Sequence, residues 1–205
     1  MAVLPMFPLG NVLVPGGVLT LHVFEPRYRE LVQHCLASDE PEFGVVLIER
    51  GSEVGGGDVR RRIGTIARML QVGEMDDGRY AVIAVGTSRF RVNSWLPDEP
   101  FPLADVDEWP DDDSVPDPAL FVETLQRSRR AAAMAAELGD PANDAGSEIS
   151  DDPLLASYQM IELAPVGAAD AYDLLAASGA SARVQALAAL LVDVEAAQAF
   201  RLQRP

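Results

Sequence analysis

The chain has 205 residues, a mass of 22.0 kDa and a formal net charge of −16, and all 16 basic residues are arginine. The absence of lysine excludes a phosphate-gripping lysine loop, a Ser-Lys dyad and a Schiff-base lysine, and the single cysteine, Cys35, excludes an internal disulfide. The acidity argues against a general affinity for nucleic acid, whose phosphates it repels.

The first hundred residues have the pattern of a β domain. Short apolar runs separated by turn residues predict strands at residues 2–6, 18–24, 43–48, 63–72, 80–92 and 102–109. The turn Asp76-Asp77-Gly78 indicates a hairpin, and Gly86 interrupts the strand that follows it. A bend at Gly86 would help the sheet to curl towards closure. Short strands at this spacing favour a small barrel or sandwich over a parallel sheet.

One amphipathic helix interrupts these strands. Pro26 suits its first position, and Glu25 just before it suits the positive end of the helix dipole. Five residues at helical spacing form the predicted buried face: Tyr28, Leu31, Val32, Cys35 and Leu36. We therefore predict a helix that begins at Pro26 and packs against the strands.

The second half has the pattern of a helical domain. Helices are predicted at residues 117–138, 152–163, 168–177 and 181–202. In the last of them, four residues are expected to face the core: Val184, Leu187, Leu191 and Val194. The acidic stretch 139–151 predicts a mobile linker. The chain thus divides into a β-rich domain at 1–110 and a helical domain at 111–205.

The residues that might suggest catalysis or metal binding are better explained as structural. Cys35 lies on the apolar face of its helix, and successive helical residues point about 100° apart, so His34 does not face it. The chain has no Cys-x-x-Cys or His-x-x-x-His spacing, and Gly55-Gly56-Gly57 lacks the Lys-Ser/Thr of a phosphate loop. We predict no catalytic residue, no cofactor and no metal site.

The uncharged start of the chain has neither the features of a signal peptide nor those of a membrane span. Residues 1–24 carry no acidic or basic side chain, but proline and glycine break the apolar run and no basic region precedes it. No other apolar run reaches about 18 residues. Together with the lone cysteine, this predicts a cytoplasmic protein without membrane partners.

The strongest candidate for a binding function is the segment FEPRYR at residues 24–29, where a predicted strand meets the helix. Arginine and aromatic residues are favoured anchors at interfaces. The candidate protein-binding residues are Phe24, Glu25, Arg27, Tyr28 and Arg29. The alternative is a structural corner of ion pairs and packing, because Tyr28 falls on the buried helical face.

Several motifs, in this order and at this spacing, resemble the Lon protease N-terminal (substrate-binding) domain family. They are LPMFPL at 4–9, VLVPG at 12–16, LHVFEPRYR at 21–29, FGVV at 43–46, IGTIA at 63–67, DGRY at 77–80 and GTSRF at 86–90. The resemblance implies an α+β fold, with a PUA-like β-barrel that carries one inserted helix and is followed by a C-terminal helical bundle. It also implies recognition of unfolded or damaged polypeptides. The nucleotide loop and Ser-Lys dyad of Lon are not found in these 205 residues. The chain therefore resembles the stand-alone bacterial members, and proteolysis is not carried over.

Four functions follow as hypotheses. The first is a non-enzymatic module that holds exposed apolar segments of client polypeptides. The second is an adaptor that docks clients onto a separate AAA+ protease through the acidic helical half. The third is RNA binding through Arg60-Arg61-Arg62, since PUA-like barrels include RNA binders. The fourth is a small-ligand site at the barrel mouth near His22, Tyr28 and Trp95.

Overall fold

A computed structural model describes residues 2–51, 53 and 57–203 of the chain, so Gly55 and Gly56 of the glycine run lie outside the described residues. Backbone contacts divide the chain into two compact units, Met1–Pro110 and Asp111–Pro205. The described part of the first unit contains six strands and one helix, and that of the second contains four helices. The predicted α+β class is confirmed.

The first unit is a single mixed sheet with one helix inserted in the chain. Its elements are β1 (Ala2–Leu9), β2 (Val18–Val23), α1 (Pro26–Leu36), β3 (Glu42–Arg50), β4 (Val59–Glu74), β5 (Tyr80–Trp95) and β6 (Leu103–Glu108). The strand order is β2-β5-β4-β3-β1-β6, and β5 also pairs with β6. The pairings from β5 through β4, β3, β1 and β6 therefore form a closed circuit. Among the described strands, β2 lies outside this circuit and pairs only with β5.

From Pro5 to Leu9, strand β1 is buried on both of its faces, since successive side chains of a strand point to opposite sides. Met6 belongs to a hydrophobic cluster with Phe90 and Val106, whereas Phe7 belongs to a larger cluster with Tyr28 and Leu31. The larger cluster packs α1 against the sheet. Leu36 is an exception to the predicted buried face of α1. It is 48% exposed, while the other four predicted residues are buried.

The strands turn where glycine permits close approach of the backbone. Gly16 N donates to Gly86 O at 2.8 Å, and Gly86 N donates to Gly17 O at 2.9 Å. A Cβ on Gly86 would collide with the carbonyl oxygen of Val14. The ladder between β4 and β5 shifts register beside Gly86, where the sequence predicts a bend.

The second unit consists of α2 (Pro118–Glu137), α3 (Pro153–Leu163), α4 (Ala168–Leu175) and α5 (Ala180–Leu202). Asp117 caps α2 by accepting from Leu120 N, and Asp152 caps α3 by accepting from Leu154 N. In α5, Val184, Leu187 and Leu191 are buried as predicted, whereas Val194 is only half-buried.

One charged residue that the sequence pattern does not single out is fully buried in this unit. Arg183 of α5 donates to Leu174 O at 3.1 Å, to Ser157 Oγ at 2.7 Å and to Asp111 Oδ1 at 2.6 Å. Its guanidinium lies 3.7 Å from the centre of the Tyr158 ring. The arginine thereby ties α3, α4 and α5 to the start of the unit.

The acidic stretch 139–151 contains neither helix nor strand, but it is bonded to two helices. Arg129 of α2 donates to Ala145 O at 2.7 Å and to Ser147 O at 2.9 Å. Ser150 N donates to Gln159 Oε1 of α3 at 2.7 Å. These bonds run to both helices that the stretch connects.

Candidate functional site

The junction between β2 and α1 places an aromatic side chain in solvent and turns the chain sharply into the helix. Glu25 occupies the cap position with an extended backbone, and Pro26 follows as the first helical residue. Tyr28 N and Arg29 N donate to Glu25 O at 3.1 and 3.0 Å. Phe24, just before the cap, is left 56% exposed.

A cavity of about 180 Å³ lies beside this junction. Its lining residues are Phe7, Leu9, Thr20, Leu21, His22, Val23, Phe24, Glu25, Tyr28 and Glu53. Those from β1 and the inner face of β2 are buried and apolar, whereas Thr20, His22 and Phe24 are exposed. The cavity therefore combines an apolar floor with a polar and aromatic rim.

Stacked rings form part of the floor. The ring centroids of Phe7 and Tyr28 are 4.2 Å apart with an interplanar angle of 19°, and Phe43 packs against Phe7 at 5.9 Å. Burial raises the pKa of Tyr28 to about 12 despite the opposing charge of Arg27. Its hydroxyl is therefore protonated at neutral pH.

The guanidinium of Arg27 is bonded to neighbouring residues of the same chain. Its Nε lies 3.2 Å from Glu25 Oε2, and its Nη2 donates to Glu53 O at 3.3 Å. The guanidinium also lies 4.4 Å from the centre of the Tyr28 ring. Arg27 thus joins the start of α1 to residue 53 at the edge of the cavity.

Arg29 lies apart from the other four candidate residues. A Cβ on Gly78, in the turn between β4 and β5, would collide with Arg29 Nη2. Arg29 therefore packs on that turn and does not line the cavity. The structure brings Phe24, Glu25 and Tyr28 together as lining residues, with Arg27 attached to the rim.

Most residues of the cavity floor carry no signal in the sequence that marks them as part of a site. Phe7, Leu9 and Leu21 are apolar strand residues whose pattern indicates burial but not which strand lies opposite. Glu53 sits in a glycine-rich stretch that carries no recognisable signal. His22, which the sequence places near a candidate ligand site, lines the cavity, although its side chain is exposed.

The comparisons with known proteins now decide the family. The family model of the ATP-dependent protease La (LON) substrate-binding domain matches residues 3–193. The chain belongs to this family. The Lon protease of Anaeromyxobacter dehalogenans (strain 2CP-C) is 32% identical over 143 residues, which make up 67% of this chain and 17% of that protein. Lon protease 2 of Myxococcus xanthus is 35% identical over 108 residues, or 51% of this chain and 13% of that protein. The chain thus spans less than a fifth of the length of these relatives.

Solved structures of Lon N-terminal domains share the fold. The Lon N-terminal domain protein from Xanthomonas campestris aligns with a TM-score of 0.68 and 27% identity, covering 92% of this chain and 98% of that one. The N-terminal domain of the Mycobacterium avium complex Lon protease aligns with a TM-score of 0.62 at 18% identity, covering 95% and 98%, and shows the common fold alone. The family resemblance stated from the sequence motifs is confirmed.

In this member of the Lon substrate-binding family, two arginines of the triplet are held in ion pairs, whereas Arg62 is exposed. Arg60 is ion-paired with Asp58 and Asp98, each at 2.6 Å, and Arg61 lies 3.4 Å from Glu49. Burial opposes ionisation of Asp58, but the hydrogen bonds and charge of Arg60 outweigh it and lower the pKa of that carboxyl. The charges that suggested RNA binding are thus largely neutralised.

The suggested ligand site near His22, Tyr28 and Trp95 is divided between two cavities. His22 and Tyr28 line the cavity beside β2, whereas Trp95 lines another one with Arg60 and Asp98. The guanidinium of Arg60 lies 5.1 Å from the Trp95 ring centre. The three residues therefore do not line a common cavity.

Cys35 is a packing residue. Its side chain is buried on α1, and its Sγ donates to Glu42 O at 3.2 Å. Burial raises the pKa of the thiol to about 12, so the thiolate needed for nucleophilic attack is scarce at neutral pH. The predicted structural role is confirmed.

Two further properties concern only residues 2–51, 53 and 57–203. Within them, no group of three His, Cys, Asp or Glu side chains is arranged to hold a metal ion. None of the helices in these ranges has the length and apolar character that crossing a bilayer requires.

Proposed function

We propose that the chain is a non-enzymatic polypeptide-binding module that holds exposed apolar segments of unfolded or damaged polypeptides at the cavity beside β2 and α1. The observation that carries this proposal is the cavity itself. Buried Phe7, Leu21 and Tyr28 form an apolar floor next to exposed Phe24, in a member of a family described as substrate-binding.

Burial of apolar surface supplies the binding energy in this proposal. Removing one leucine- or phenylalanine-sized side chain from water contributes about 1.5–3 kcal/mol, so a single cavity favours weak and reversible capture. Glu53 at the rim and the net charge of −16 favour segments that carry lysine or arginine. Weak binding of this kind suits recognition of many sequences.

The same proposal extends to the architecture. The closed circuit of strand pairings supports a PUA-like β-barrel, and the division of contacts after Pro110 supports a β domain at 1–110 and a helical domain at 111–205. In this arrangement the β domain carries the polypeptide-binding cavity.

A permanently unfolded client and its native form provide the direct test. We expect the chain to bind the unfolded form by fluorescence anisotropy and to leave the native form unbound. Phe24→Ser should weaken binding roughly tenfold, because about 1.4 kcal/mol of apolar contact is lost. Phe200→Ser is the matched control, since Phe200 in α5 is 58% exposed, close to the 56% of Phe24. Equal and negligible binding to both client forms would contradict the proposal.

A second function, an adaptor for a separate AAA+ protease, is favoured by the charge of the helical unit. Residues 111–205 carry 16 acidic and only 6 basic residues, which suits docking onto a basic surface. The chain immobilised on beads should retain an ATPase from lysate at low salt and release it at high salt. Retention that is unaffected by salt, or no retained ATPase, would argue against this role.

A further inference from the structure

We propose that the client binds as an additional β-strand along the outer edge of β2 and places one apolar side chain in the adjacent cavity. This inference rests on the proposed function and specifies how the polypeptide is held. The occupant is an extended segment in which apolar residues alternate with others and lysine or arginine flanks them.

The hydrogen-bonding pattern of β2 leaves one edge available. In an antiparallel ladder, alternate residues direct their N–H and C=O groups to the partner strand and the residues between them direct theirs away. Because Gly86 N donates to Gly17 O, the main-chain groups of Leu19, Leu21 and Val23 point to β5. Those of Val18, Thr20 and His22 therefore point to the opposite edge.

The other side of β5 leads independently to the same assignment. Met75 N donates to Arg79 O at 2.8 Å in the hairpin between β4 and β5. Arg79 and every second residue after it, as far as Ile83, therefore direct their main-chain N–H and C=O groups to β4. In the register of this ladder Ile83 pairs with Gln71, so the main-chain groups of Ile83 point to β4. Ile83 also lies opposite Thr20, so the main-chain groups of Thr20 are not shared with β5. No strand among the described residues pairs with this edge of β2.

The cavity lies where a side chain of an added strand would enter it. It is lined by consecutive β2 residues from Thr20 to Val23 and by Phe7 and Tyr28 beyond them. Its volume of about 180 Å³ is sufficient for one aliphatic or aromatic side chain, since an engineered apolar cavity of about 150 Å³ binds benzene. Main-chain bonds along an edge together with a pocket for alternate side chains are the features of strand addition.

The outer surface of the sheet near this edge carries exposed apolar side chains. Val18 is 68% exposed, and exposed Ile83 and Leu70 lie on the neighbouring strands β5 and β4. An added strand extends this face and covers part of its apolar surface. Side chains of alternate residues in the client would therefore contact the cavity on one side and this outer face on the other.

Charge selects the composition of the occupant. Glu25 and Glu53 stand at the rim of the cavity. Glu25 is ion-paired with Arg27, so the acidic charge of the rim comes from Glu53, whose carboxylate accepts from Gly10 N. The net charge of −16 repels acidic segments over longer distances. A basic and apolar segment is therefore the complementary ligand.

Methylation of the peptide backbone tests the inference directly. The probe is a blocked, fluorescent peptide of alternating valine and threonine flanked by lysine. N-methyl groups are placed on alternate residues in one version and on the intervening residues in another. Only the set of N–H groups that faces β2 is needed, so one version should bind at least roughly tenfold more weakly and the other nearly normally. Equal affinities of all three peptides would overturn strand addition.

A proline in β2 tests the same bonds from the protein side. Thr20→Pro removes an N–H at the outer edge and leaves the bonds from β2 to β5 in place, as edge strands tolerate. The unmethylated peptide should lose a similar factor in affinity, whereas Val115→Pro, at an exposed position in the second unit, should leave it unchanged. Circular dichroism checks folding, and if Thr20→Pro does not fold, the methylated peptides decide.

The outcomes separate this inference from the proposed function. No binding of the unfolded client or the peptide overturns both. Binding that is weakened by Phe24→Ser but unaffected by Thr20→Pro and by methylation overturns strand addition and retains the proposed function. A dimer in sedimentation that Thr20→Pro abolishes and the peptide does not displace also overturns the inference, because the edge would then hold a second copy of the chain.

Discussion

Arg183 illustrates how a single charged residue can organise a helical unit. It is fully buried, and its bonds reach α3 through Ser157, α4 through Leu174 and the start of the unit through Asp111. A buried ion pair adds little net stability over a well-packed apolar pair, but removal of one partner leaves the other charge uncompensated. The cost of truncation is therefore large even though the pair itself is not strongly stabilising.

We expect Arg183→Ala to lower the free energy of unfolding by about 3–5 kcal/mol, because Asp111 loses its buried partner. Urea unfolding followed by circular dichroism measures the change. Arg201→Ala is the control, since Arg201 pairs with Asp140 on the surface and its loss should change stability little. Similar effects of the two substitutions would show that the buried network does not hold the helices together.

Cys35 and Tyr28 predict a loss of stability in alkali. Burial raises the pKa of both groups to about 12 from their ordinary values of 9.0 and 10.0. The folded chain therefore holds these protons more tightly than the unfolded chain, so the contribution is complete below pH 9 and is lost as the pH rises to 12. Cys35→Ala should remove the part of the loss that begins near pH 9 and keep the part that begins near pH 10. Urea unfolding at stepped pH measures both, and identical pH profiles for the two proteins would contradict the assignment.

Sequence reasoning located residues well where local pattern decides their environment. The burial of Cys35 and Tyr28 follows from their helical spacing, and both are buried. The burial of Arg183 does not follow, because an arginine near a helix start looks like a solvent-exposed residue until its distant partners are known. The sequence likewise does not identify Phe7 as a site residue, since its place beside Tyr28 depends on tertiary packing.

Strand β4 shows why element boundaries are harder to predict than elements. The apolar pattern indicates a strand at 63–72, but the strand begins at Val59. The apolar pattern does not extend to this start, because Arg60 and Arg61 are charged and charged residues are typical of loops. In the folded chain their charges are paired with Asp58, Asp98 and Glu49. The helix boundaries were closer, because proline and aspartate mark helix starts directly.

Two glycines in the paired strands β4 and β5 differ in what surrounds them. A Cβ on Gly86 would collide with Val14 O, whereas a Cβ on Gly73 would meet nothing within 4 Å. We expect Gly86→Ala to destabilise the chain by about 1–3 kcal/mol through displacement of the backbone next to β2. Gly73→Ala should leave the melting temperature unchanged or raise it slightly, since the unfolded chain becomes less flexible. Equal shifts in thermal melting would contradict the close approach at Gly86.

The charge of the whole molecule is unevenly distributed. Residues 1–96 carry 10 basic and 11 acidic residues, whereas residues 97–205 carry 6 and 21. The β-rich unit, Met1–Pro110, carries 10 basic and 16 acidic residues and has a net charge of −6, whereas the helical unit, Asp111–Pro205, carries 6 and 16 and has a net charge of −10. In the proposed function, both units therefore repel acidic clients at long range, and local contacts at the cavity add to this selection.

We expect the chain to bind a basic version of one unfolded client more tightly than an acidic version of the same length and apolar content. At roughly 1 M salt the Debye length is about 3 Å, so this preference should largely disappear while apolar binding persists. Anisotropy titrations at low and high salt measure both quantities. A preference that does not change with salt would indicate that apolar contacts alone distinguish the clients.

The pairing of β5 with β6 determines when the sheet can fold completely during synthesis on the ribosome. Strand β5 bonds to β2, β4 and β6, and β6 in turn bonds to β1 at the beginning of the chain. Until Leu103–Glu108 has left the ribosome, Ala2–Pro5 has no partner strand in β6. The hydrophobic cluster of Met6, Phe90 and Val92 also lacks Ala104 and Val106, which pack against it in the finished fold. A nascent chain stalled before β6 would therefore display unpaired strands and exposed apolar surface, the features of the polypeptides that we propose the finished domain binds.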